Sequence, residues 1–224
     1  AARKSEGPQT ILVTSSGPGE GKSTILSNLA TTLAQMDARV IEVDLDLRRP
    51  VVHTFFGLNK ENGISDFLMD KKQDLKPLIR KTSIKNLDVI TSGMIPPNPS
   101  ELLSSSRLDE MISILKKHYD YILMDAPPVI AVTDSLILSN KVDIRALVIR
   151  INQADKAAVK RAKELLDNIN IEIDGCVVNG VLPQKYYSAS EYYYYYYYYY
   201  YHEGSKKKRK KRSEHNSYIN NGKR

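Results

Sequence analysis

One short run, Gly17-Pro-Gly-Glu-Gly-Lys22-Ser23-Thr24, limits what this chain can fold into more than any other segment. It follows residues 10–14, whose β-branched apolar side chains predict a strand, and it opens a helical pattern expected from Lys22 to about Met36. A glycine-rich turn between a strand and a helix exposes a row of backbone N–H groups, and the helix dipole adds positive potential, so the turn is a cradle for phosphate. Lys22 is spaced to reach the β- and γ-phosphates of ATP and the Ser23 hydroxyl to reach Mg²⁺. The candidate nucleotide-binding residues are therefore Gly17, Pro18, Gly19, Glu20, Gly21, Lys22, Ser23 and Thr24. Ser16 stands where the general pattern has Gly or Ala.

Beyond this turn the chain alternates between apolar runs and helical patterns. Strands are expected at 40–44, 87–91, 121–125, 146–151 and 176–179, and helices near 64–69, 107–118, 133–139 and 156–170. Alternation of this kind predicts an α/β fold of the P-loop NTPase type, a doubly wound, mainly parallel sheet with helices on both faces. In such a sheet ligands bind beyond the carboxyl ends of the strands, which draws Asp44, Asp46 and Asp125 towards the phosphate turn. Asp125 closes an apolar strand and is expected to hold the Mg²⁺ shell beside Ser23. Asp44 and Asp46, two residues apart, share a side if the strand continues; one would position the metal water and the other would accept a substrate proton. Turn capping is the alternative for each.

After Pro183 the composition changes. The domain expected over 1–183 gives way to a tail, 184–224, with ten consecutive tyrosines and a basic run from Lys206 to Arg212. A run of one residue has neither strand nor helix periodicity, and a block of like charge repels itself, so the tail is expected to be mostly disordered. The formal net charge of +7 belongs to its end: from Glu203 onward nine basic residues oppose two acidic ones, and the remainder sums to zero. The folded body is not a basic platform, and no nucleic-acid partner is expected. Cys176, the single cysteine, has no disulfide partner within the chain, and no signal-like start or run of about 18–20 apolar residues is present. That pattern predicts a cytoplasmic protein. His53, His118, His202 and His215 lack ligand spacing with one another or with Cys176, so no zinc site is expected. Cys176, within an apolar strand, is expected in the core. Asn98, Pro99 and Glu101 spell a helix start with a capping box.

Four segments resemble the bacterial tyrosine kinases of capsule and exopolysaccharide synthesis: 15–24, 43–50 (Val-Asp-Leu-Asp-Leu-Arg-Arg-Pro), 91–103 (Thr-Ser-Gly-Met-Ile-Pro-Pro-Asn-Pro-Ser-Glu-Leu-Leu) and 123–128 (Leu-Met-Asp-Ala-Pro-Pro). The likeness runs from about Thr10 to Pro183, and the tyrosine-rich tail belongs to it. It implies that Lys22 contacts the β/γ-phosphates, that Ser23, Asp46 and Asp125 form the metal shell, and that Asp44 is the candidate base. Asn179 resembles the Asn that reads adenine in related ATPases, although an Asn before Gly180 is equally good turn chemistry. The acceptors would be Tyr192, Tyr193, Tyr194, Tyr195, Tyr196, Tyr197, Tyr198, Tyr199, Tyr200 and Tyr201, here an unbroken run where family tails intersperse small polar residues. Family members usually carry an assembly helix with a Glu and two Arg before the first strand; Ala1 to Gln9 holds none, and the chain does not begin with Met, as expected of an excerpt.

The resemblance also implies partners: the cytosolic segment of a transmembrane activator, and further copies of the chain. From residue 179, thirteen steps reach Tyr192, about 45 Å extended or about 20 Å as a coil, so transfer between chains of a homo-oligomer is expected. The run Lys206 to Arg212 would hold the tail to an anionic membrane, a peripheral position at its inner face. The alternative function is an ATP-driven switch of the chromosome-partition or septum-site type, which shares the fold and the strand-end aspartates. Those proteins carry a Lys second in the phosphate turn, where this chain has Gly17.

Overall fold

The computed structural model describes residues 7–181. The tail at 184–224, with the tyrosine run and Lys206 to Arg212, lies outside the described residues, as do residues 1–6.

Seven strands form one sheet: β1 (Gln9–Ser15), β2 (Val40–Asp44), β3 (Arg80–Lys81), β4 (Leu87–Ile90), β5 (Tyr121–Asp125), β6 (Ile144–Arg150) and β7 (Gly175–Asn179), in the order β3-β4-β2-β5-β1-β6-β7. All neighbours are parallel except β3, which runs antiparallel to β4. The helices are α1 (Lys22–Gln35), α2 (Val52–Phe55), α3 (Ile64–Met69), α4 (Pro99–Ser104), α5 (Ser106–Leu115), α6 (Asp134–Ser139) and α7 (Lys156–Asp167). Strand alternation splits the core between the two faces. Leu12, Ile41 and Val43 join the layer with Phe67, Leu103 and Met111 of α3, α4 and α5, while Ile11, Val13 and Val40 meet Leu26, Ala30 and Ala34 of α1. Helices on both faces of a mainly parallel sheet are what the alternation predicts.

Several local expectations are corrected. The helix that follows the phosphate turn ends at Gln35, because Asp37 takes a left-handed conformation at φ 63°. The helices expected to reach 118 and 170 stop at Leu115 and Asp167. Strand β3 and helix α2 were not legible: two and four residues carry no period. Asn98 sits at the start of α4, but its side chain caps no backbone N–H and donates to the Glu101 carboxylate, so the capping box is not made. Cys176 is exposed rather than in the core, because β7 is an edge strand with one neighbour in the sheet.

Candidate nucleotide site

The phosphate turn leaves the end of β1, the strand between β5 and β6, so strand ends converge on it from both sides. Gly21 adopts φ 93° at the start of α1, a conformation only glycine takes freely, and a Cβ there would collide with the Asn179 amide. The interior of the turn is held by Glu20, a buried residue whose Oε1 accepts the Ser16 hydroxyl at 2.7 Å and whose Oε2 accepts the Ser16 N–H at 3.0 Å. Ser16 is thus a partner for Glu20 rather than a defect in the motif. From outside, Gln153 donates to the Pro18 carbonyl at 3.1 Å, and Arg150 to the Gly19 carbonyl at 3.3 Å. Arg150 ends β6 and Gln153 lies just beyond it, more than a hundred residues from the turn, and no motif in the sequence marks them.

Of the five candidate chemical residues, Ser23, Asp46 and Asp125 meet on the ammonium of Lys22, and Asp44 stands apart from that contact. The Lys22 ammonium lies 2.9 Å from Asp46 Oδ2, 3.2 Å from Asp125 Oδ2 and 3.1 Å from Ser23 Oγ, and Ser23 donates to Asp125 Oδ2 at 2.6 Å. Burial alone would lower the pKa of Lys22, but the Asp125 and Asp46 carboxylates outweigh it and hold the ammonium above its usual range. Asp125 is wholly buried, and that burial raises its pKa despite Lys22 and Ser23. Leu45 and Leu47 both enter the core, which puts Asp44 and Asp46 on the other side, as their spacing predicts.

Asp44 differs from Asp46 in access. Its Oδ2 accepts the Val51 and Val52 N–H groups, both at 3.1 Å, so it anchors the start of α2; its Oδ1 is buried without a partner among the described residues. Burial, then the Asp125 charge, pushes its pKa up to about 8. Asp46 Oδ1 accepts the Arg49 N–H at 3.0 Å, and the residue lines a small cavity beside Pro18. Asn179 is engaged within the protein: it donates to the Glu20 carbonyl at 2.9 Å and accepts the Gly180 N–H at 2.8 Å. The turn chemistry is therefore made, and the side chain tethers the phosphate turn. Thr24 is exposed in the first turn of α1.

Glu42 and Asp134, both buried, were not marked by the sequence. Glu42, in the middle of β2, accepts from Ser27 Oγ at 2.7 Å, and burial, partly offset by Ser27, pushes its pKa up to about 8. Asp134, at the start of α6, binds Arg48 through Nε at 2.8 Å and Nη2 at 3.1 Å and accepts Ser100 Oγ at 2.6 Å. Ser100 accepts from Arg48 Nη2 at 3.1 Å, which ties the 91–103 segment to the loop after β2. A cavity of about 650 Å³ lies at the opposite ends of the strands beside Arg39, Leu87 and Tyr119, away from this chemistry.

The family model described as an AAA domain matches residues 8–175. The chain is 41% identical over 172 residues to tyrosine-protein kinase YwqD of Bacillus subtilis, covering 77% of this chain and 72% of that one. Its structure is similar to the kinase domain of the Escherichia coli tyrosine kinase ETK (TM-score 0.76, 32% identity, 81% of this chain and 71% of that one). It is likewise similar to the chimerical protein CapA2B2 (TM-score 0.75, 37% identity, 80% of this chain and 79% of that one). The chain spans 24% of the length of the full E. coli tyrosine-protein kinase etk. A septum-site-determining protein from Pyrococcus horikoshii, at 22% identity and TM-score 0.64, shares the fold. No helix among the described residues is long and apolar enough to cross a membrane. With a glycine-rich phosphate turn at the end of its central strand and tyrosine-protein kinases among its relatives, the chain belongs to the AAA-domain family of bacterial tyrosine-protein kinases.

Proposed function

We propose that this chain moves the γ-phosphoryl group of ATP, with Mg²⁺, onto tyrosines 192–201 of a neighbouring copy. The observation that carries the reading is the convergence of Ser23, Asp46 and Asp125 on the Lys22 ammonium next to the phosphate turn. Three oxygen donors already gathered on one positive charge suit a hard divalent cation, which keeps part of its water shell and takes few protein ligands. Ser23, Asp46 and Asp125 would hold Mg²⁺ once Lys22 turns to the phosphates, and the bound ion would neutralise phosphate charge.

In the transfer, a bond forms between the acceptor phenolic oxygen and the γ-phosphorus as the bond from that phosphorus to the β–γ bridging oxygen breaks. ADP leaves, and the phenolic proton passes to a strand-end carboxylate. The family resemblance gives that role to Asp44; Asp46, at the open cavity, is the alternative. Lys22 and the backbone N–H groups of the turn stabilise charge on the moving phosphoryl group. Setting and partners follow from the resemblance: capsular or exopolysaccharide synthesis, a transmembrane activator's cytosolic segment, a homo-oligomer, and an anionic membrane touched by Lys206 to Arg212.

The test is anti-phosphotyrosine signal on the purified chain with Mg-ATP. Lys22→Met should reduce it at least about 100-fold, as loss of a transition-state donor does; undiminished labelling of Lys22→Met would reject the proposal. A partition-type switch predicts ATP hydrolysis without phosphotyrosine, and Gly17 in place of that family's Lys speaks against it.

A further inference from the structure

The cavity of about 650 Å³ lies beside the starts of β2, β4 and β5, at the ends of the strands opposite the phosphate turn. Pockets that take small organic ligands hold roughly 300–1,000 Å³, so it has room for one. Its floor is apolar. Leu75 and Leu87 are buried there, and Ile79, Ile84 and Ile114 line it while only partly covered by the core. An apolar body seated on them would take that surface out of water.

The rim is positive. Residues 71–85 carry six basic side chains and one acidic one, although the folded body as a whole sums to zero. Lys76, Lys81 and Lys85 of this segment line the cavity, together with Arg39 from the turn before β2. Two of the four are engaged: Arg39 pairs with Asp120 at 2.6 Å, and Lys81 donates to the buried Asp88 at 2.8 Å. Tyr119 donates to the same Asp88 oxygen at 2.7 Å, so that carboxylate is satisfied within the protein and does not cancel the rim. Lys85 reaches Asp37 only at 3.7 Å, with both side chains more than 80% exposed, and such a pair holds its partners loosely. That leaves Lys76 and Lys85 against one exposed acid, Asp74, in the field of Lys71, Lys72 and Arg80. A charged rim alone would be an ordinary solvated surface; here it encloses an apolar floor.

We propose that this cavity is a second ligand site, for a phosphate monoester with an apolar body. The body rests on the floor between Leu75 and Leu87, and the phosphate meets the ammonium groups of Lys76 and Lys85, which act as point charges with rotatable donors. The five residues of β2 place the two ends of that strand about 13 Å apart, so this ligand and a nucleotide at the phosphate turn fit the chain together. The site is independent of the kinase function proposed above.

The probe is 1-naphthyl phosphate, titrated by calorimetry into the full chain with its nucleotide site saturated by Mg-ADP. 1-Naphthol and inorganic phosphate supply each half of the probe alone. The expected result is one molecule per chain with Kd below about 1 mM, and binding at least about tenfold weaker for either half. Reversing both exposed lysines, Lys76→Glu with Lys85→Glu, should weaken the probe at least about tenfold without changing thermal melting, and added salt should weaken it in the wild type. Ile84→Trp, which fills the floor, should weaken it similarly; if that variant melts early, the lysine pair decides alone. A wild-type Kd above about 1 mM, or an unchanged Kd in the lysine variant, would overturn the site. Naphthol that binds as tightly as its phosphate would overturn the anion's part in it.

Discussion

Ser16 and Glu20, at the two ends of the phosphate turn, are joined twice: the Ser16 hydroxyl and the Ser16 N–H each donate to one oxygen of the buried Glu20 carboxylate, at 2.7 and 3.0 Å. A hydrogen bond to a charged group contributes about 1.5–3 kcal/mol, so this pair sets how well the turn is formed before nucleotide arrives. Glu20→Ala should weaken ADP binding, measured by calorimetry, about tenfold or more, and Ser16→Ala, which keeps the N–H bond, by less. Equal losses would mean that the backbone bond contributes nothing.

Asp44 combines two roles that substitutions separate. Asn keeps an oxygen for the Val51 and Val52 N–H groups, whereas Ala does not. Asp44→Ala should lower Tm by several degrees through loss of this anchor, while Asp44→Asn should melt near wild type and still lose most phosphotyrosine. Full labelling of Asp44→Asn would transfer the proton acceptor's role to Asp46.

Glu42 makes a prediction about pH. Burial raises its folded-state pKa to about 8 from an ordinary 4.5, so the folded protein prefers the proton that the unfolded chain releases. Stability from this group is complete below the ordinary carboxylate range and is lost as pH rises towards 8. Glu42→Gln, which imitates the protonated acid, should melt close to wild type at pH 5 and above it at pH 8, by up to about 5 kcal/mol given about 1.4 kcal/mol per pKa unit. Asp44 and Asp125 titrate in both proteins and their charges also act on Glu42, so the difference between the curves reports Glu42 together with its coupling to them; parallel curves would assign the slope to the other two.

Transfer between chains is tested by mixing Lys22→Met full-length protein with an active chain lacking 184–224. Phosphotyrosine should appear on the Lys22→Met partner and rise with total concentration. An unlabelled partner would confine the reaction to single chains.

Residues that follow one another along the chain were readable, and those that meet across it were not. Six of the seven strands, the phosphate turn and the side shared by Asp44 and Asp46 show in the sequence, because short apolar runs, residue spacing and glycine placement are local signals. The Arg48–Asp134 pair joins positions 86 apart, and Gln153 meets Pro18 across 135; neither leaves a local trace. Cys176 shows the converse failure. It was assigned from its apolar neighbours in sequence, and its exposure is decided by an edge position that only the sheet order supplies.

The place of β1 has a further consequence, for the order in which the molecule is completed. The strand that carries the phosphate turn is made before both of its neighbours, since Gln9 pairs with Tyr121 and Ile11 with Ile144. Ribosomes add about 5–20 residues per second, so β1 waits several seconds or more for them. A nascent chain therefore carries the whole glycine-rich motif long before it has a site. Such non-local pairing slows folding and leaves apolar strands uncovered meanwhile. Binding of nucleotide thus reports on completion of the sheet's centre, and a truncated chain ending before 144 should have the motif and no affinity.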